Sequence, residues 1–138
     1  MKKIFVDTSA FAALADKNDD NHIKAVEFNR QVKGIILVTS NYILDELYTL
    51  LLMNVGYDPT VKFKAKLDIL IAHNLLQIVW ISPEINRKTW QIFEQFNRDK
   101  QWSFTDCTSY VVMKESGITE AFTFDRHFSQ MGLIRRPD

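Results

Sequence analysis

Ile4-Phe5-Val6-Asp7-Thr8-Ser9, preceded by Lys2-Lys3, is the stretch on which the reading of this chain turns. Three apolar residues between a basic pair and an Asp-Thr-Ser step predict a short strand buried on both faces, as in the interior of a parallel sheet. The strand ends on a carboxylate. Ligands of open α/β sheets bind beyond the carboxyl ends of the strands, so Asp7 stands where such a fold does its work.

Outward from that strand, Thr8 or Ser9 is positioned to cap a short helix through Phe11, Ala12 and Leu14, which ends in the polar loop Asp16-Lys17-Asn18-Asp19-Asp20. A loose helical period runs from about Asn21 to Val32, and Gly34 breaks it before Ile35-Ile36-Leu37-Val38, a second apolar strand. Thr39 or Ser40 caps a longer helix with Ile43, Leu47, Leu50 and Leu51 along one side, closing at Gly56. Pro59 opens the next helix, to about Asn74, and Leu75 to Ile81 contains a third strand. Ser82-Pro83-Glu84 starts a helix through Trp90, Phe93 and Phe96, and Ser103 caps another running to Gly117. Glu120 to Phe124 is a fourth strand, and Leu133-Ile134 a short edge strand. Alternating helices and strands without a period-2 pattern predict a three-layer α/β/α sandwich around a mostly parallel sheet of four to five strands.

The 138 residues suffice for one domain, expected to span 1–138, with no repeat and no linker-like shift in composition. Seventeen basic residues balance seventeen acidic ones, so net charge gives no hint of a polyanion partner, although a local basic rim is compatible with it. One cysteine, Cys107, rules out an internal disulfide and a Cys-rich zinc cage, which suits a reducing cytoplasm. Only three apolar residues follow Lys2-Lys3 before Asp7, too few for a signal peptide, and no stretch is long enough to span a bilayer.

Four acids stand out. Asp7 and Asp125 each follow an apolar strand. Glu46 falls on the apolar side of its helix, between Ile43 and Leu50, and a carboxylate buried there needs a partner such as a cation. Asp106 lies in the first turn after Ser103, at capping-box spacing. Gathered at one edge of the sheet, these acids repel one another: two carboxylates about 4 Å apart cost around 4 kcal/mol at an effective dielectric near 20. Such a cluster takes up protons or holds a cation, and oxygen ligands suit Mg²⁺ or Mn²⁺. Phosphodiester hydrolysis is the natural chemistry of such an ion.

On these motifs the chain resembles a PIN-domain ribonuclease, specifically a small single-domain one of the VapC toxin type. The resemblance spans nearly the whole chain and rests on Phe-Val-Asp-Thr-Ser at 5–9, Thr-Ser-Asn-Tyr-Ile-Leu-Asp-Glu at 39–46, Ser-Phe-Thr-Asp-Cys at 103–107 and Thr-Phe-Asp-Arg-His-Phe at 123–128. It implies that Asp7, Glu46, Asp106 and Asp125 are the catalytic, metal-binding acids, with Thr8, Ser9 and Thr105 in support. It further implies cleavage of single-stranded RNA with Mg²⁺ or Mn²⁺, a homodimer, and an antitoxin partner of a type II toxin-antitoxin pair. Cys107 departs from the Ala more usual after the third acid, a small change that leaves the chemistry intact. Competing readings are a non-catalytic RNA- or protein-binding module and a structure-specific DNA nuclease using the same metals.

Candidates to meet RNA are Arg98, Lys100, Arg126, His127, Arg135 and Arg136 for phosphates and Trp102 for a base. Lys62, Lys64 and Lys66 do not share a helical face. Asp99 reads as a solvated loop residue. Residues 16–27 imitate an EF-hand loop, but Asn21 replaces the turn glycine and Lys24 puts a cation at a ligand position. A Cys107, His127, Asp125 nucleophilic set lacks any feature that orients a base on the thiol.

Overall fold

The computed structural model describes residues 1–138. Its centre is β1 (Lys3–Val6), whose Ile4, Phe5 and Val6 are all at most 1% exposed, the two-sided burial their unbroken apolar run predicts. The other strands are β2 (Ile36–Ser40), β3 (Leu76–Val79), β4 (Glu120–Phe122) and β5 (Ile134–Arg136). All pairings are parallel, in the order β3-β2-β1-β4-β5.

The chain steps from β1 out to β2 and β3, then crosses back to β4 on the other side of β1. Right-handed crossovers therefore put α1 (Thr8–Ala15), α2 (His22–Gln31), α3 (Asn41–Val55) and α4 (Tyr57–Ala72) on one face. They put α5 (Pro83–Phe96), α6 (Phe104–Ser116) and the short α7 (His127–Gln130) on the other, which is the expected three-layer sandwich. The strand order reverses between β1 and β4, so the topological switch point lies beyond Val6 and Phe122. No helix is long and apolar enough to cross a membrane.

Several boundaries differ from the sequence reading, each for a local reason. Asp7 caps α1, because its side chain accepts from the Ser9 amide while Thr8 and Ser9 are already helical. β2 runs two residues further than expected, to Ser40, where the Thr39 hydroxyl donates to the Val6 carbonyl at 2.9 Å and ties the ends of two strands together. α4 begins at Tyr57, with Pro59 inside its first turn, where a missing amide proton costs no helical bond. β4 stops at Phe122, so Asp125 stands three residues beyond the strand. The edge strand is Ile134–Arg136, not Leu133-Ile134: Leu133 turns into the core, and Arg136 pairs with Glu120 of β4 through Nε at 2.7 Å.

Candidate active site

Asp7 follows β1 and is 5% exposed. Every protein hydrogen bond to its carboxylate goes to Oδ2: the Ser9 hydroxyl at 2.9 Å, the Thr123 hydroxyl at 2.9 Å and the Ser9 amide at 3.4 Å. Ser9 also accepts from the Phe124 amide at 2.9 Å, and Thr123 from the Asp125 amide at 3.0 Å. These two hydroxyls thus bind the ends of β1 and β4 into one frame across the switch point. Burial pushes the Asp7 carboxyl up to about 6, although the Ser9 and Thr123 hydrogen bonds pull it down; the charges of Asp106 and Asp125 add to the rise.

Asp106 enters from the first turn of α6. Its amide donates to Ser103 Oγ at 3.0 Å, and its Oδ2 accepts from the Ser103 amide at 3.3 Å, a complete capping box. The capping reading of Asp106 holds, and it does not compete with a place in the cluster: the box fixes one oxygen of the carboxylate and leaves the other without a protein hydrogen bond. Ser103→Ala is expected to cost about 1 kcal/mol in urea denaturation, and to weaken divalent-metal binding by loosening Asp106.

Asp125 and His127 complete the cluster. Asp125 Oδ1 accepts from the His127 amide at 2.9 Å. His127 Nδ1 lies 2.9 Å from Asp106 Oδ2 and 3.4 Å from Asp125 Oδ1, and an ionised carboxylate can only accept, so the imidazole donates. Ligand atoms of Asp106, Asp125 and His127 fall within 4.8 Å of one another, a group able to hold a metal ion. The sequence suggests His127 as an RNA contact; in the fold it joins two of the acids, through its ring to Asp106 and through its backbone amide to Asp125. The short helix that makes this geometry, α7, has no signal in a run of four residues.

Each of the three aspartates is anchored through one oxygen and leaves the other without a protein hydrogen bond: Asp7 Oδ1, Asp106 Oδ1 and Asp125 Oδ2. Free, hard oxygen donors held on a rigid frame are what a divalent cation of the Mg²⁺ kind requires, and a cation would offset both the burial that raises Asp7 and the smaller repulsion from its neighbours.

Glu46 is placed differently from the expectation. It is exposed, because the buried stripe of α3 consists of Ile43, Leu47 and Leu51 and leaves position 46 at its margin. It has no ion pair, and it lines an open cavity of about 580 Å³ together with Thr105, the neighbour of Asp106. Thr8 is buried and its hydroxyl has no hydrogen-bond partner, while Thr105 is half-buried. Of the three supporting residues, Ser9 alone holds a carboxylate. Thr123, which sequence reasoning did not single out, does the same; the signal available was its place in the Thr-Phe-Asp run.

The basic candidates divide. Trp102 cannot stack a base: it is 4% exposed, packs on Phe96 and donates through Nε1 to Gln130 Oε1 at 2.9 Å. Arg136 is paired with Glu120 and Asp138. Arg135 is tied to the Ser129 hydroxyl at 2.7 Å and lines a different cavity, with Lys24. Arg126 is exposed and unpaired at the start of α7, and Arg98 and Lys100 border His127. Cys107 is buried, with its thiol pushed up to about 11 by burial and by the Asp106 charge, which leaves no basis for a nucleophilic role.

An open, wholly parallel α/β sandwich with carboxylates gathered near its switch point defines a class of domain that binds its ligands beyond the carboxyl ends of its strands. The chain belongs to the PIN domain family, whose model matches residues 4–133. It is 31% identical over 136 residues to the 23S rRNA-specific endonuclease VapC20 of Mycobacterium tuberculosis, covering 98% of this chain and 99% of that one. The crystal structure of VapC20, a sarcin-ricin loop cleaving toxin, superposes with a TM-score of 0.84 at 30% identity over 95% of this chain and 96% of that one. A VapC ribonuclease of Archaeoglobus fulgidus is 30% identical over 127 residues, 90% of this chain and 78% of its own. VapBC2 of Rickettsia felis, solved bound to a promoter DNA fragment, shares the fold at 16% identity, with a TM-score of 0.65 over 97% of both chains.

Proposed function

We propose that residues 1–138 act as one endoribonuclease unit of the VapC kind, cutting single-stranded RNA with Mg²⁺ or Mn²⁺ as the toxin of a toxin-antitoxin pair. The observation that carries this is the set of three aspartates at the β1/β4 switch point, each anchored on one side and free on the other. Asp7, Asp106 and Asp125 hold the cation, and Ser9 and Thr123 keep Asp7 in place. The bound ion supplies Lewis-acid stabilisation of the phosphoryl oxygens and a more acidic water. Glu46, unpaired in a cavity that Thr105 also lines, would be the acid free to orient an attacking water or to add an oxygen ligand.

Near-full-length likeness to an rRNA endonuclease makes a ribosomal RNA stem-loop the first substrate to offer. An RNA substrate and an unbridged cysteine both suit an activity in the cytoplasm. Leu52, Met53, Tyr57 and Val61, exposed around the α3–α4 corner, give a surface for a second copy or for an antitoxin.

The test is cleavage of an end-labelled sarcin-ricin loop transcript and an unrelated single-stranded RNA, with Mg²⁺, with Mn²⁺ and with EDTA. Endonucleolytic products in either metal and none in EDTA are expected. Equal cutting in EDTA, or cutting of DNA duplexes in preference to RNA, contradicts the proposal.

A further inference from the structure

Beside the carboxylate cluster lies an open cavity of about 770 Å³ with no hydrophobic residue in its lining: the 97–101 segment, His127 and Gln130. Its floor is a closed loop. Asn97 Nδ2 donates to the Trp102 carbonyl at 2.9 Å, and the Trp102 amide donates to Asn97 Oδ1 at 2.8 Å, so the four residues between them are held as a staple. The buried Trp102 then fixes the staple to α7 through Gln130. Arg98 has no carboxylate within ion-pair distance, and Lys100 meets its exposed neighbour Asp99 at 3.5 Å, a contact of little strength, and lies 6.0 Å from the centre of the Trp102 ring. The wall shared with the cluster is His127, whose Nδ1 is engaged by Asp106 and whose Nε2 has no partner.

We infer that this cavity is a phosphodiester subsite, in which Arg98 and Lys100 hold a backbone phosphate of the RNA strand next to the one being cut. The inference rests on the nuclease reading above and adds to it where the strand leaves the metal cluster. Two cationic side chains on a stapled loop lose little freedom on binding, and they share a cavity with His127, which contacts two of the acids. Trp102, expected to stack a base, instead serves as the positioning residue for the loop.

Binding is measured by fluorescence anisotropy of a labelled single-stranded RNA across a NaCl series in Mg²⁺, using the full chain carrying Asp7→Asn so that the RNA survives. Adding Arg98→Ala and Lys100→Ala together is expected to weaken binding roughly tenfold and to lower the slope of log affinity against log salt by about 0.7, the share of one lost phosphate contact on a single strand. The charge-conserving pair R98K/K100R is expected to stay within about threefold of the parent, since a point charge still meets the phosphate. Unchanged affinity and slope in the double alanine variant, or no RNA binding by the parent, overturns the subsite; the first result leaves the cavity to an acidic protein partner. Cleavage by the unmutated chain is scored separately, so loss of the subsite and failure of the nuclease reading are told apart.

Discussion

Asp7→Asn removes metal-dependent RNA cleavage, with an expected fall on the order of 10³-fold or more, the scale on which loss of one member of a cooperating catalytic set is felt. The amide is nearly isosteric with the carboxylate. Its oxygen takes the place of Oδ2 and keeps the Ser9 and Thr123 hydrogen bonds, while its nitrogen takes the open position of Oδ1. The frame across β1 and β4 therefore survives, and what is lost is one negative donor to a cation. Asp106→Asn is expected to match it, with an added disturbance because Oδ2 also receives Ser103 and His127. Initial rates on labelled RNA, with identically purified proteins, measure both. Cleavage by Asp7→Asn within tenfold of the parent would mean that the products come from another site.

The same substitution makes the metal-free protein more stable at neutral pH. The Asp7 carboxyl rises from 3.8 in the unfolded chain to about 6 in the fold, so the native state binds this proton more tightly than the unfolded state does. Below 3.8 the group is protonated in both states and its burial is uncharged. Between 3.8 and 6 the unfolded chain ionises first, and stability falls as pH rises; above 6 the whole loss is present, about 3 kcal/mol. A neutral amide avoids it. Urea unfolding in EDTA from pH 4 to 7.5 is expected to show the Asp7 contribution as a decline in the parent that Asp7→Asn lacks, with the variant ahead by as much as about 3 kcal/mol at pH 7.5. Added Mn²⁺ is expected to narrow the gap, because it binds the parent's native state more tightly than the variant's. A variant less stable than the parent at every pH would show that Asp7 is held by something other than the balance of burial and hydroxyl contacts described here. A residue that destabilises the fold and is needed for the chemistry is the usual signature of a functional group.

Much of this was visible in the sequence because it is encoded locally. An unbroken Ile4-Phe5-Val6 run specifies a central strand, and an acid just beyond it is at the sheet edge whatever the rest of the chain does. Ser103 and Asp106 announce a cap by spacing alone, and the structure makes both halves of the box. Long-range geometry was not visible. Glu46 is exposed because α3 turns its Ile43-Leu47-Leu51 stripe to the core, a matter of a few tens of degrees of helix rotation that periodicity does not resolve. Trp102 reads as a base-stacking aromatic because its hydrogen-bond partner, Gln130, is 28 residues away. Thr123 and His127 act on acids 116 and 21 residues distant, and no local pattern distinguishes them from ordinary strand-end and loop residues.

Direct titration of Mn²⁺, followed by its electron paramagnetic resonance signal, bears most closely on the claim that the switch-point aspartates hold a cation. Saturable binding to the parent, weakened at least about tenfold in both Asp7→Asn and Asp106→Asn as expected on loss of a charged oxygen donor, is the predicted result. No binding by the parent, or binding undiminished in both variants, would contradict it.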